Sequence, residues 1–180
     1  RARGADVSYE LAIDFLEGVN GAKRRFAMPD GKMRELTIPA GVEDGQILRL
    51  RGQGAPGAGR DAAGDALVTL RVRTHPLLRR VGNDIHLELP VNLGEAVLGA
   101  KIEVPTATGP VVLTIPKGSN TGTVLRLRGK GVNAGGRTGD QLVTLKVMLP
   151  EPPDDELHKF VADWALAHPY SARQGWGGGA

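Results

Sequence analysis

An internal repeat divides this chain of 180 residues into two similar units. Residues 36–54 and 113–131 are identical at 12 of 19 positions, and both contain Leu-Thr-Ile-Pro and Leu-Arg-Leu-Arg-Gly. Residues 64–72 match residues 139–147 at 7 of 9 positions. Agreement at this level indicates a duplication, so the two halves of the chain must share one fold.

Each unit has the periodicity of short strands. The repeated Leu-Arg-Leu-Arg alternates apolar and charged side chains, which is typical of a strand with one buried face. The dipeptide Asp30-Gly31 is typical of a hairpin turn. A third match, between residues 17–23 and 95–101 at 5 of 7 positions, predicts one helical turn ended by glycine. The sequence therefore predicts a mainly β fold of two tandem homologous, mainly antiparallel β-sandwich domains, each with a short helix.

The composition agrees with many short strands joined by turns. The chain has 26 Gly, 12 Pro and 41% hydrophobic residues, which is too apolar for a disordered chain. It has no Cys, which excludes disulfides, thiolate zinc sites and cysteine nucleophiles. No apolar run is long enough for a membrane helix or a signal peptide, so we expect a cytoplasmic protein without a membrane partner. Because the first residue is Arg, we expect a fragment or a processed chain.

The end of the chain changes from strand to helix periodicity. After Pro152-Pro153, apolar side chains recur at spacings of three and four and form one stripe, which Pro169 ends. The members of this stripe are Leu157, Phe160, Val161 and Trp164. The pattern predicts a C-terminal amphipathic helix. It either folds back onto the second sandwich or, as we favour, pairs with its twin in a second chain, because two sandwiches already form a complete core.

These patterns predict the following division of the chain. Residues 1–6 are a linker remnant, 7–75 the first sandwich, 76–150 a stiff hinge and the second sandwich, 151–168 the dimerisation helix, and 169–180 a disordered tail.

Residue patterns that carry chemistry are scarce. Residues 52–57 match G-x-G-x-x-G, but Pro56 and further glycines follow where a nucleotide site needs a helix. The four histidines are too scattered for a local metal site, and no serine lies in a nucleophile elbow. We therefore predict a binding protein without catalytic residues, metal or cofactor, rather than an enzyme.

The candidate binding surface comes from a difference between the units. Aligning the Gly-Ala-Lys motifs pairs four residues of each unit, and the first unit has the larger, softer or aromatic residue at three of the four positions. The pairs are Tyr9, Leu11, Phe26 and Met28 opposite Leu87, Leu89, Val104 and Thr106. If their strands are neighbours, the first four form one apolar patch. Such a patch suits an extended segment that adds a strand to a sheet edge. The alternative is that these residues are ordinary core.

Basic residues also cluster along the chain. The candidates for contacts with phosphate or an acidic partner are Lys23, Arg24, Arg25, Arg79 and Arg80. Solvated strand faces and protected sheet edges are the ordinary explanation for such residues. The net charge of +3 is too small to decide between the two.

Taken together, these motifs resemble the C-terminal half of the J-domain co-chaperones, the DnaJ and CbpA group. The resemblance rests on the repeated Glu-x-x-x-Gly-Ala-Lys, Leu-Thr-Ile-Pro-x-Gly, Leu-Arg-Leu-Arg-Gly-x-Gly and Gly-Asp-x-Leu-Val-Thr-Leu, and on the junction from His75 to Ile85. It covers about residues 6–168. The absence of Cys-x-x-Cys pairs makes the chain similar to the zinc-free members.

The resemblance implies a function. It implies a dimeric clamp that binds unfolded polypeptides, prevents their aggregation and delivers them to the DnaK-type heat-shock ATPase. It also implies that the client groove lies in the first unit, at Tyr9, Leu11, Phe26 and Met28. The His-Pro-Asp signature that stimulates the ATPase is absent from this chain. The alternative function is sequence-independent DNA binding, with a nucleoid association, as implied by the CbpA-like members.

Overall fold

The structure is a computed structural model that describes residues 2–28 and 31–177. The first unit contains β1 (Val7–Ile13), α1 (Phe15–Asn20), β2 (Ala22–Ala27), β3 (Met33–Ile38), β4 (Ile47–Leu50) and β5 (Ala66–Val72). The second contains β6 (Leu78–Val81), β7 (Asp84–Asn92), α2 (Leu93–Leu98), β8 (Ala100–Val104), β9 (Val111–Ile115), β10 (Val124–Leu127), β11 (Asn133–Ala134), β12 (Arg137–Thr138) and β13 (Gln141–Met148). Helix α3 (Asp155–Ala167) follows.

Each unit has a larger sheet and a two-stranded hairpin around an apolar core, and the second unit has a further short hairpin, β11–β12. In the first unit the strand order is β1-β5-β4, and β2 pairs with β3. In the second it is β10-β13-β7-β6, and β8 pairs with β9. The predicted mainly β fold with a short helix in each unit and a C-terminal helix is confirmed.

The pairing register confirms the duplication. Tyr9 lies opposite Val68 in the first unit, and Leu87 lies opposite Val143 in the second. These pairs occupy equivalent positions in the aligned sequences, so the two units share this register and the order of their three equivalent strands, to which the second unit adds β6. Most pairings are antiparallel, as predicted, but β1–β5 and β7–β13 are parallel. Alternation of apolar and polar residues predicts a strand but not the direction of its partner.

The two short helices form where the sequence predicts them. Each begins two residues before the repeated motif, and in each the glutamate in the first turn accepts a hydrogen bond from the backbone N–H of the N-cap residue. Gly21 ends α1 with a φ of 78°, and a Cβ there would lie 2.9 Å from the carbonyl oxygen of Ile38. Only glycine fits this combination of positive φ and close backbone contact.

The repeated Leu-Arg-Leu-Arg-Gly and Gly-Asp motifs are hydrogen-bonded to each other. Asp65 accepts hydrogen bonds from the backbone N–H of Gly52 at 2.9 Å and from the guanidinium of Arg49 at 2.6 Å. These contacts hold the pKa of Asp65 below its ordinary value. Asp140 receives the same pair of contacts in the second unit, from Gly129 and then Arg126, and its pKa is also lowered. The two motifs thus fix the turn after β4 and β10 in both units.

The described residues before β1 and after α3 lie outside the two cores. The segment 2–6, predicted as a linker remnant, lies against the loop after β4, where Ala55 N–H donates to the carbonyl of Ala5 at 2.9 Å. Gly31, from the turn predicted at Asp30-Gly31, lies between β2 and β3 and has a φ of 81°. Asp30 lies outside the described residues, as do residues 178–180 of the predicted tail. None of the helices in the described ranges is long and apolar enough to cross a membrane.

Candidate functional site

The predicted apolar patch lies where β1 and β2 approach each other. Tyr9 and Leu11 share one face of β1, and both are half-buried, as is Phe26 on β2. The rings of Tyr9 and Phe26 meet edge to face, with their centroids 6.3 Å apart. All three side chains pack on the core of the first unit. The structure therefore brings these three predicted residues together while leaving part of each exposed.

Met28 is placed differently from the other three. It is only 6% exposed and follows the last residue of β2, where its N–H donates to the carbonyl of Lys32 at 2.8 Å. It lies in the β2–β3 hairpin just after β2, and it is buried where the other three predicted residues are half-buried.

The second unit closes the equivalent patch. Leu87 and Val104, the counterparts of Tyr9 and Phe26, are 3% and 1% exposed. The counterpart of Met28, Thr106, is buried and donates its hydroxyl to the carbonyl of Gly109. The apolar surface of the first unit is thus more accessible than that of its duplicate.

The units also differ at one edge of the larger sheet, which is covered in the second unit and open in the first. The outer edge of β7 is covered by β6, which pairs Leu78 with Leu87 and Arg80 with Ile85. The equivalent edge of β1 has no strand partner among the residues that the structure describes. Sequence reasoning missed β6, because its residues lie within the segment predicted as a hinge. An open edge beside half-buried apolar side chains can accept an extended chain.

The basic residues of β2 point to opposite faces. Lys23 and Arg25 are exposed on one face of the strand. Arg24 faces the other way and forms an ion pair with Glu17 at 2.7 Å. Two of these three candidates are therefore available to an anionic partner.

The two adjacent arginines of β6 also differ. Arg79 is exposed, whereas the side chain of Arg80 is 16% exposed. Arg80 donates to the carbonyl oxygens of Gly41 at 3.0 Å and Val42 at 2.8 Å, in the first unit. It thus joins the units, a role that the sequence alone did not indicate.

Further contacts join the units at this junction. The rings of Phe15 and His75 meet with centroids 5.7 Å apart, and Asn20 donates its side-chain N–H to the carbonyl of Ala107 at 2.7 Å. Phe15 and Val19, on α1, are buried within the core of the second unit. The two cores are therefore packed against each other through α1.

The apolar stripe of α3 is largely exposed. Leu157 is half-buried, and the other three predicted residues, Phe160, Val161 and Trp164, are 61%, 46% and 41% exposed. No residue of α3 is buried. The helix therefore does not fold back onto the second sandwich, which was the alternative left open by the sequence.

The described residues hold no candidate metal site or nucleotide-binding turn. Within residues 2–28 and 31–177, no group of three His, Cys, Asp or Glu side chains could hold a metal ion. The G-x-G-x-x-G match at residues 52–57 follows β4 and is not followed by a helix.

Comparison with known proteins identifies the family. The model described as DnaJ C terminal domain matches residues 7–150. The chain is 38% identical to Curved DNA-binding protein of Coxiella burnetii (strain RSA 493 / Nine Mile phase I), an alignment covering 97% of this chain and 59% of the relative. It is 42% identical to Curved DNA-binding protein of Serratia proteamaculans (strain 568), with 86% and 54% covered.

A third relative is Curved DNA-binding protein of Escherichia coli (strain SE11), to which the chain is 37% identical, with 98% of this chain and 62% of the relative covered. The chain thus spans little more than half the length of these relatives. DnaJ-like co-chaperones are not an enzyme family. With the matched residues spanning both duplicated units, this chain belongs to the DnaJ C terminal domain family of DnaJ-like co-chaperones.

Proposed function

We propose that the first unit binds extended apolar segments of unfolded polypeptides, and that the chain is the client-binding part of a dimeric co-chaperone. In this role it prevents aggregation by covering apolar segments. Delivery of the clients to a DnaK-type ATPase is part of the proposal and is supported by family membership alone.

The observation that carries the proposal is the open edge of β1. In the second unit, β6 lies along β7 and buries Leu78 opposite Leu87. An incoming strand beside β1 would take the equivalent position in the first unit, with an apolar side chain opposite Tyr9. Backbone hydrogen bonds to the open edge would bind any sequence, and the half-buried Tyr9 and Phe26 would favour apolar side chains.

A matched pair of labels tests which unit binds the client. Lys23 on β2 and Lys101 on β8 are the same residue at equivalent positions, and both are exposed. Because the chain has no Cys, Lys23→Cys and Lys101→Cys can each carry one fluorophore. An apolar peptide with a quencher should quench the first label and not the second. Equal quenching of both labels would refute a groove confined to the first unit.

A second test asks whether binding needs strand addition. N-methylation of alternate backbone amides of the peptide should weaken its binding when the methylated face points to the sheet edge. Methylation of the other alternate set should have little effect. Equal affinities for the two peptides would reject strand addition even if the peptide binds near Tyr9.

Substitution of Phe26 tests the apolar contribution. Phe26→Asp should abolish suppression of aggregation of a thermally unfolded client, because a carboxylate cannot be buried against an apolar side chain without a large cost. Ile47→Asp is the control, since Ile47 is 58% exposed on β4, at the edge of the β1-β5-β4 sheet opposite the open edge of β1. Both variants are first checked for native circular dichroism. A folded Phe26→Asp variant with full activity would reject the site.

We also propose that α3 holds two copies of the chain together. On the stripe at Leu157, Phe160, Val161 and Trp164, Trp164 contacts the rings of His168 and Tyr170 of its own chain, but the last three residues of the stripe remain 41–61% exposed. Burying a large apolar side chain contributes about 1.5–3 kcal/mol, so four such side chains favour association strongly before the entropic cost of joining two chains.

Light scattering tests the dimer with a control on the same helix. Leu157→Asp combined with Trp164→Asp should give a monomer. Leu166→Asp should stay dimeric, because Leu166 is 86% exposed and nine residues from Leu157, on the opposite side of a helix with 3.6 residues per turn. A dimeric double variant would reject α3 as the interface.

The second candidate function is DNA binding without sequence preference. It is supported by the name of the relatives, Curved DNA-binding protein, and by the exposed Lys23 and Arg25 on one face of β2. Arg79 is also exposed, whereas Arg24 and Arg80 are engaged within the protein. The phosphate contacts would therefore come from three of the five predicted residues.

Gel shift at two salt concentrations tests this function. Binding through phosphates weakens steeply with salt, and the slope of log K against log salt is about 0.9 per phosphate neutralised. Lys23→Gln with Arg25→Gln should reduce this slope by about two, and Lys101→Gln is the control. No shift of the DNA band at low salt would exclude the function for this chain.

A further inference from the structure

The duplication gives the two short helices equivalent positions but different neighbours. Phe15 and Val19 on α1 correspond to Leu93 and Val97 on α2, and Asn20 corresponds to Leu98. Phe15 and Val19 are 8% and 6% exposed because the second unit packs on them. This face of the repeat is therefore a packing surface in the first unit.

The equivalent face of the second unit is open. Leu93, Val97 and Leu98 are 36%, 56% and 69% exposed. Leu98 is apolar, whereas its counterpart Asn20 in the first unit is polar. The exposed face of α2 is therefore more apolar than the buried face of α1. Three neighbouring exposed apolar residues on one short helix indicate a binding surface rather than isolated exposed residues.

A cleft extends this face toward the end of the second unit. It has a volume of about 730 Å³ and lies between α2 and the last strand, where it is lined by Pro90, Leu93, Met148, Leu149 and Pro150. Leu149 is 60% exposed. We define the α2 face as Leu93, Val97, Leu98 and Leu149.

The chain itself contains a segment of matching character. Helix α3 starts six residues after Leu149. Its apolar stripe is largely exposed, since Phe160, Val161 and Trp164 are 61%, 46% and 41% exposed. The α3 of the same chain does not cover the α2 face, since Val97 and Leu98 remain more than half exposed. Two uncovered apolar surfaces in one chain can cover each other between two copies related by a twofold axis.

Charge supports the same pairing. Helix α3 carries three carboxylates, Asp155, Glu156 and Asp163, against one lysine, Lys159. Beside α2, Lys117 lies next to Gly99, the residue that ends the helix. Lys117 is exposed, as is Lys101, and neither has an ion pair with any residue in the described ranges. An acidic helix on the α2 face would approach these two amines.

We infer that the α2 face is the docking surface for α3 of a second copy of this chain. The inference rests on the proposed dimer and adds the surface that α3 contacts. Each copy would cover the α2 face of the other, giving two identical contacts per dimer. The second unit would then be covered on this face by its partner, as the first unit is covered by the second.

Disulfide crosslinking between a tagged and an untagged copy tests the contact of α3 with the α2 face directly. Because the native chain has no Cys, a tagged Leu98→Cys copy can be mixed with an untagged Phe160→Cys copy and oxidised. We expect a disulfide-linked product of one tagged and one untagged chain. Val81→Cys replaces Leu98→Cys as the control, since Val81 is 47% exposed at the end of β7 farthest from α2 and should give no such product.

Ultracentrifugation measures the contribution of the face. Leu98→Asp should raise the dissociation constant of the dimer by at least about tenfold, because a large apolar side chain is lost from each of two contacts. Val81→Asp should leave the constant unchanged. The exposure of both residues means that neither substitution disturbs the core, and circular dichroism verifies this for each variant.

The outcomes separate this inference from the proposed dimer. If the native chain is a monomer, the dimer and the inference both fail. If the native chain is a dimer that Leu98→Asp does not weaken, and Phe160→Cys crosslinks only to itself, α3 pairs with its twin alone and the inference fails. Assemblies larger than a dimer that Leu98→Asp abolishes would instead indicate head-to-tail stacking and would also overturn it.

Discussion

Arg80 should stabilise the junction of the two units, and removing its side chain tests this. Its guanidinium donates to the carbonyl oxygens of Gly41 and Val42 in the first unit, and only 16% of the side chain is exposed. Hydrogen bonds to a charged group contribute about 1.5–3 kcal/mol each, and water can partly replace the donor in Arg80→Ala. We therefore expect Arg80→Ala to lower the free energy of unfolding by about 2–4 kcal/mol.

Urea unfolding followed by far-UV circular dichroism measures this loss. Arg79→Ala is the matched control, because Arg79 is the adjacent residue and is exposed. Its substitution should change the free energy of unfolding by less than about 0.5 kcal/mol. Equal losses for the two variants would refute the role of Arg80 in joining the units. Two separate unfolding transitions in Arg80→Ala would show that the units had become independent.

Two further predictions concern the repeated turns. The pKa of Asp140 lies below its ordinary value of 3.8, chiefly because the Gly129 N–H donates to it, so its stabilising contribution is present above pH 3.8 and is lost as the pH falls through the lowered value. An acid titration of stability should therefore be less steep in Asp140→Asn than in the native chain, and parallel curves would contradict this. Gly21→Ala should cost about 1–3 kcal/mol from its positive φ, more with the contact to Ile38, as measured by thermal unfolding. Gly94→Ala, in α2 without a positive φ, should instead stabilise by up to about 1 kcal/mol, and similar losses in both would refute the backbone explanation.

The duplication made much of the fold predictable. Equal motifs at equal spacing require equal strands, and the observed registers are equivalent pair by pair. The helix α3 was predictable because its apolar spacing is strict and prolines flank it. The ion pair of Arg49 with Asp65 could also have been predicted, since both residues belong to motifs that recur together in the two units.

Tertiary context determined what the sequence did not reveal. Leu78–Val81 forms a strand because β7 offers an edge there, and the intrinsic pattern of these four residues does not require it. Arg79 and Arg80 are chemically identical in sequence, and only the strand orientation sends one to solvent and the other to the first unit. In the candidate site, the close contact of Tyr9 with Phe26 depended on two strands from different sheets being neighbours.

The two open surfaces of this chain follow from the order of its units. Residues of the junction supply β6, which covers the edge of β7, but the described residues before β1 supply no strand to the equivalent edge. Conversely, the second unit packs on α1, but the α2 face stays exposed in the described part of the chain, while Ala96 on the other side of α2 is buried in the core. A tandem duplication therefore leaves a free sheet edge on the first copy and a free helix face on the last. Under our proposals, the free edge binds the client and the free face binds the second chain, so two equal folds acquire different functions from their positions alone.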